Sequence, residues 1–120
     1  MAGLVNAGKN AMLDALGTAA AYASLHTADP GTGGTSEVTG GSPAYARKAI
    51  TWAAASAGSK ASSASLVFDV PASTTIAYIG YWSAVTSGTF YGSRALSASE
   101  TFAAQGTYTI ASGGLTESQA

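Results

Sequence analysis

A chain of 120 residues has room for one ordinary domain and not for two. Alanine, serine, threonine and glycine make up 72 of the residues, only 9% are charged, and the net charge is −1; the five basic residues are scattered, which excludes a nucleic-acid footprint. The absence of cysteine excludes disulfides and thiolate metal sites, and no apolar run reaches the roughly 18 residues of a membrane span.

Met1–Asn6 lacks the basic start and apolar core of a secretory signal. One helix is predicted over residues 6–17, capped by Asn6 and ended by Gly17. Val5, Ala11, Met12, Leu13 and Leu16 supply its apolar face, with Lys9 and Asp14 pointing outward. From Ala21 the period falls to two. Ala21–Thr27 sets Tyr22, Ser24 and His26 against Ala23, Leu25 and Thr27, a first strand. The stretch Ser24–Arg47 that follows from it holds two of the three prolines and five of the fifteen glycines, which marks a long loop.

Beyond the loop, Arg47–Ala55 alternates Lys48, Ile50 and Trp52 against Ala49, Thr51 and Ala53, a second strand. Ala57–Ser65 is polar and rich in Gly and Ser, a turn or a flexible loop. Ser65–Val70 places Leu66, Phe68 and Val70 on one face with Asp69 opposite, and Pro71 closes it, because proline cannot donate to a ladder. Thr75–Ala84 carries Ile76, Tyr78 and Trp82 on one face and Ile79 and Tyr81 on the other. Apolar on both sides, it belongs at the centre of a sheet or in a subunit contact. Thr86–Thr89 turns the chain into Phe90–Leu96. Phe102 and Tyr108–Ile110 mark two short final strands around a turn at Gln105–Gly106, and residues 113–120 form a polar tail that is mobile or reaches a neighbour.

About seven short strands at roughly ten-residue spacing describe an antiparallel β-sandwich or jelly roll with one short N-terminal helix. Residues 1–120 are read as a single domain of this all-β class. Its core is thin. Leu, Ile, Val and Phe number only 19, so eleven aromatics and many alanines must fill the interior. A monomer built this way is marginal. With so uncharged a surface, packing against neighbours costs little desolvation, which implies a homo-oligomer, expected as a trimer, or docking on a larger assembly.

Few residues offer chemistry. His26 is the lone histidine, and a nucleophilic triad would need a serine and an aspartate brought to it in space; a hydrogen-bonded structural role is the simpler reading. Asp29 and Glu37 flank a Gly/Thr-rich loop whose oxygens could hold Ca²⁺, yet Asp29-Pro-Gly is ordinary turn chemistry and the alternating carboxylates of a dedicated site are missing. Gly31-Thr-Gly-Gly and Gly40-Gly41 are turns, since no Lys-Ser/Thr follows at phosphate-loop spacing. No cofactor is expected. Tyr22, Tyr45, Trp52, Tyr78, Tyr81, Trp82 and Tyr91 could form a sugar-binding platform, although the core needs most of them. Asp69, Arg94, Arg47 and Glu100 are candidates for buried or interfacial ion pairs.

The pattern Ser24-Leu-His-Thr-Ala-Asp-Pro-Gly31, then Glu37, Thr39-Gly-Gly41, Tyr45-Ala-Arg47 and Trp52, resembles a family of small tailed-bacteriophage proteins labelled tail fibre or minor tail proteins, particularly in phages of actinobacteria. Val67-Phe-Asp-Val-Pro71, Tyr78-Ile-Gly-Tyr-Trp-Ser83 and Gly88-Thr-Phe-Tyr-Gly92 fit the same family, so the likeness covers about Asn6 to Ile110. It implies a structural, non-enzymatic virion protein of the minor tail or tail-fibre type, and it brings no catalytic residues. Two alternatives stay open: a decoration protein cementing the capsid surface, and a carbohydrate-binding module for a host-surface glycan. The implied partners are further copies of the chain and other virion proteins, with neither nucleic acid nor membrane. Its implied location is the virion, on the tail or the capsid surface, after assembly in the bacterial cytoplasm. The loop Asp29–Tyr45 is the candidate contact with a neighbouring subunit, with Asp29, Glu37, Tyr45 and Arg47 as its interface residues.

Overall fold

A computed structural model describes residues 5–118. In chain order it contains α1 (Asn6–Ala19), β1 (Tyr22–His26), β2 (Lys48–Ala49), β3 (Ser59–Ala61), β4 (Leu66–Val70), β5 (Thr74–Trp82), β6 (Phe90–Phe102), β7 (Gly106–Ile110) and β8 (Thr116–Ser118). A four-stranded sheet runs β2-β1-β5-β6, while β4 pairs with β7 and β3 with β8, and every pairing is antiparallel. The protein is an all-β antiparallel sandwich with one short N-terminal helix, as the alternation predicts.

The core lies on one face of the four-stranded sheet. Leu25 stands opposite Ile79 and Ala23 opposite Tyr81, and these four meet Leu66, Phe68 and Val70 of β4. Those β4 residues are buried while Val67 between them is 48% exposed, the alternation read from the sequence. Full burial of side chains such as Phe68 and Leu25 stabilises by about 1.5–3 kcal/mol each. β5 departs from strict alternation. Ile76 pairs with Glu100 but Tyr78 pairs with Ala95, so Leu96–Ser99 have no partner on β5. That bulge rotates the strand, and Ile76 joins Ile79 and Tyr81 in the core instead of siding with Tyr78 and Trp82.

Several segments differ from the sequence expectation. Asn6 is not the cap but the first helical residue; Val5 precedes it in extended conformation and no side chain caps the helix. The helix passes through Gly17 to Ala19, and the missing side chain is used. Lys60 crosses the helix there, where a methyl group would collide with its Cε. Asp14, expected to point outward, receives Lys60 Nζ at 2.7 Å and the Ala55 amide at 2.9 Å. Only Leu13 is buried in α1, whereas Val5 and Met12 are 75% and 49% exposed.

The expected strand Arg47–Ala55 is a corner. It leaves β1 after Ile50 N donates to Ala21 O, and then joins the β3 side through the Trp52–Ser62 bridge and Ala53 N to Ala61 O. Ala57–Ser65 opens with a turn, one of its two expected forms, and then runs into β3 in place of a flexible loop. Ala57 and Gly58 both take positive φ, +52° and +75°, closing a two-residue hairpin between Ser56 and Ser59. The tail is partly ordered as well, because Thr116–Ser118 pair with β3, while Gln119 and Ala120 lie outside the described residues. No described helix is long and apolar enough to cross a membrane.

Candidate functional site

The second face of the four-stranded sheet is covered by the loop between β1 and β2. Register places Ser24 opposite Gly80 and His26 opposite Tyr78 on this face, with Trp82 and Phe90 packed beside them at 5.0 Å between ring centroids. Ser24 and His26 are both 0% exposed, so every polar atom here needs a partner. A relay supplies them. Trp82 Nε1 donates to Ser24 Oγ at 2.9 Å, Ser24 Oγ lies 2.6 Å from His26 Nε2, and His26 Nδ1 lies 2.7 Å from the Thr35 carbonyl. Since a carbonyl can only accept, Nδ1 carries the proton and Nε2 accepts from the serine. Burial holds the imidazole below its ordinary pKa, in the neutral form that this relay requires.

Two glycines make room for the relay. A Cβ on Gly80 would lie 2.5 Å from Ser24 Oγ and 2.6 Å from His26 Nε2. Gly34, at φ +73°, lets the loop backbone rest on the Trp82 ring, and Pro30 is buried beneath the loop. The loop is thus docked on the sheet, not suspended from its ends.

Its closing end is clamped by charge. Arg47 donates to both Glu37 oxygens, from Nε and Nη2, each at 2.9 Å. Its Nη1 reaches the carbonyls of Ala84 at 3.0 Å and Ser87 at 2.8 Å, tying down the β5–β6 turn, and Cζ sits 3.7 Å over the Trp82 ring. Tyr45 donates its hydroxyl to Glu37 Oε2 at 2.8 Å and accepts the Leu25 amide at 2.9 Å. Burial works to raise the Glu37 carboxyl, but the hydrogen bonds from Arg47 and Tyr45 outweigh it and leave it below its usual value. Burial pushes the Tyr45 hydroxyl far up, so it stays a donor at any physiological pH.

Of the four residues singled out in the sequence, the structure brings Glu37, Tyr45 and Arg47 into one cluster. Asp29 stands apart, exposed, its Oδ1 accepting the Gly31 amide at 2.9 Å in a local turn. Gly40 and Gly41, at φ +89° and +98°, turn the chain back so that the Tyr45 amide bonds Gly40 O at 2.8 Å. Arg94 lies 3.9 Å from Glu117, and among the described residues Asp69 and Glu100 enter no ion pair. The sequence reading placed Ser24 on a strand face with His26, Gly34 in a turn and Trp82 among the core or platform aromatics, but it did not join them with Gly80 into one site. The one available signal was Gly80 inside the strongest strand, since a lone strand glycine marks close approach.

The arrangement holds shape and does not present reactive groups. Ser24 and His26 have the spacing of a nucleophile and its base, yet both are wholly buried and the third partner is a carbonyl, not a carboxylate. A groove of about 320 Å³ opens beside the clamp between Tyr45, Arg47, Val85 and Ser87, and the Arg47 and Glu37 groups that line it are already paired with each other. Among the described residues, no three His, Asp or Glu side chains gather as metal ligands would.

None of the curated proteins matches the chain. A family model described as podophage GP4 fiber I protein gp80 matches residues 3–118, nearly the whole length. The chain belongs to this family of phage fibre proteins.

Proposed function

We propose that the protein is a structural, non-enzymatic component of a tailed-phage virion, a tail-fibre-type module present as a homo-oligomer. The observation that carries this reading is the fibre family match over residues 3–118. The loop geometry supports it. Glu37, Tyr45 and Arg47 spend their polar groups inside the molecule, which leaves the exposed rim, Gly31–Gly33 and Gly40–Ala44, as uncharged backbone and small side chains in a fixed shape, with Asp29 the one charge beside it. A preorganised, easily desolvated rim suits contact with another protein subunit, because little ordering remains to be done on binding. The four singled-out residues then divide their roles. Asp29 shapes the rim, and the other three hold it.

An actinobacterial host is the finest part of the reading and rests on the residue resemblance alone; plating the phage on candidate hosts tests it. The tail location is tested by labelling intact particles with an antibody against the protein and counting copies by quantitative mass spectrometry. Tail labelling with a handful to a few tens of copies supports the fibre role. Label spread over the head, with hundreds of copies, would replace it with capsid decoration. The glycan-binding alternative has Tyr91 as its one aromatic among the exposed large hydrophobics of the described residues, and a glycan array reads it directly.

A further inference from the structure

One cleft shares no residue with the relay or the clamp and holds polar groups that the fold does not use. It lies between α1 and the corner that follows β2, has a volume of about 420 Å³ and is lined mostly by polar atoms. That volume falls within the roughly 300–1,000 Å³ of small-molecule sites, while the polar lining excludes an apolar ligand. Lys60 lines the cleft although it is only 6% exposed, and its ammonium has three N–H groups to place. Asp14 Oδ1 takes one at 2.7 Å and Ala53 O another at 2.8 Å; the third has no partner among the described residues. Asp14 spends only Oδ1, on Lys60 and the Ala55 amide, so Oδ2 stays open to a donor. Thr18 donates to Asp14 O at 3.1 Å and keeps its acceptor lone pairs, and exposed Thr51 keeps its whole hydroxyl. Ile50 and Trp52 form the apolar wall, with the Trp52 ring fixed by Nε1 donating to Ala20 O at 3.2 Å. Gly17 weakens the helix interior relative to alanine, but a side chain there would strike Lys60 Cε and unseat the ammonium.

We propose that this cleft binds a neutral pyranose, one sugar unit of a host-surface polysaccharide. Asp14 Oδ2 and the spare Lys60 N–H are an acceptor and a donor on groups already in contact. Neighbouring hydroxyls of a sugar match that pair, one donating to the carboxylate and the next accepting from the ammonium. The C–H face of the ring meets Trp52 and Ile50, and Thr18 and Thr51 serve the remaining hydroxyls. Charge selects among sugars. Asp14 and Lys60 cancel each other, so a uronate would face the carboxylate and an aminosugar the ammonium, whereas a neutral ring meets neither repulsion. Lys60 is seated before any ligand arrives, so little ordering remains on binding. A site for one sugar unit is weak alone, and many copies on one particle raise its avidity through effective concentration. That gain rests on the reading of the chain as a multi-copy virion component; the sugar contact itself does not. The site adds recognition to the structural role, and it does not use Tyr91.

The experiment titrates the purified full chain with glucose, galactose and mannose, and with glucuronate and glucosamine as charged controls, while amide and indole N–H shifts are followed by NMR. A neutral hexose should shift Gly17, Thr18, Thr51, Lys60 and the Trp52 indole and leave Tyr91 in place. Thr51→Val should weaken that binding roughly twofold to tenfold, and Tyr91→Ala should not change it. Thr51→Val is the cleaner variant, because Asp14→Asn also disturbs the seat of Lys60; circular dichroism confirms that each is folded. No shift at these residues with any neutral hexose up to about 100 mM, a very weak Kd, overturns the site. Equal or stronger binding of either charged sugar, or shifts centred on Tyr91, overturns it as well. Phage carrying Thr51→Val should adsorb more slowly to its host, and unchanged adsorption overturns the host surface as the source of the sugar. Loss of Thr51→Val from particles without any sugar binding would make the cleft a subunit contact instead. A chain that binds no sugar yet labels the tail overturns the site and leaves the fibre role standing. Sugar binding by a chain absent from particles supports the site and overturns that role.

Discussion

The two faces of the four-stranded sheet are stabilised by different physics. One buries Leu25, Ile79, Phe68, Val70 and their neighbours in a cluster of aliphatic and aromatic side chains. The other buries a serine, a histidine, a tryptophan ring and an arginine beneath a loop, with every polar group given at least one partner. The apolar face is tolerant, since packing of similar volume can be rearranged at modest cost. The polar face is brittle, because removing one partner leaves a buried donor or acceptor unmet. A chain with so few large aliphatic residues covers its second face with a network in place of a second core, and it gains a loop of defined shape in doing so.

The largest loss on the polar face should come at Arg47. Its side chain is 8% exposed and Glu37 is 20% exposed, so Arg47→Ala strands a largely buried carboxylate and two carbonyls. The expected loss is about 3 kcal/mol, close to the 3–5 kcal/mol expected of Phe68→Ala across the sheet. Urea denaturation of both variants makes the comparison. An Arg47→Ala loss within the scatter of ordinary surface changes would mean that the loop is held by its ends alone.

Gly80→Ala sharpens it next. The new methyl drives into Ser24 Oγ and His26 Nε2 and should cost about 1–3 kcal/mol, although alanine is ordinarily tolerated in strands. Tyr45→Phe removes one bond to Glu37 and orphans the Leu25 amide while leaving the ring stacked on Phe68. A loss of about 1–3 kcal/mol is expected, with loop amides exchanging faster and β4 amides unchanged.

How much of this was readable in advance follows from what periodicity can see. Leu66, Phe68 and Val70 point inward and Pro71 ends their strand, as a period of two and a missing N–H dictate. The Asp29-Pro-Gly turn was legible because its chemistry is local, and Glu37 and Arg47 were singled out because charge is rare in this chain. The β5 bulge was not, since an inserted residue count leaves no mark on the alternation of either strand. The Ala57–Gly58 turn was legible only as a Gly/Ser-rich turn or loop and not as a hairpin, because an alanine at positive φ carries none of the usual Asn or Asp signal. The relay joins positions 24, 26, 35, 80 and 82 across a sheet register that no local pattern encodes.

Acid should separate the faces more gently. The folded His26 titrates below its ordinary value of 6.5, so the relay's contribution is complete above that pH and declines as pH falls through the folded value. Glu37, depressed below 4.5, adds a second loss on further acidification, and Asp14, lowered chiefly by its bond from Lys60, acts in the same direction. Denaturation midpoints should therefore fall from about pH 6.5 downward. A His26→Gln variant should lose the upper part of that slope and keep the lower part. An unchanged slope would assign the whole acid response to the carboxylates.

The most direct measurement is a double-mutant cycle on Arg47 and Glu37, using Arg47→Ala, Glu37→Ala and the double variant in urea denaturation. If the second face is held by paired polar groups, the double variant should be little worse than the poorer single one, with a coupling of about 1.5–3 kcal/mol. Losses that add to within about 0.5 kcal/mol would show that the two residues stabilise the loop independently, and the account of a clamped, network-covered face would be contradicted.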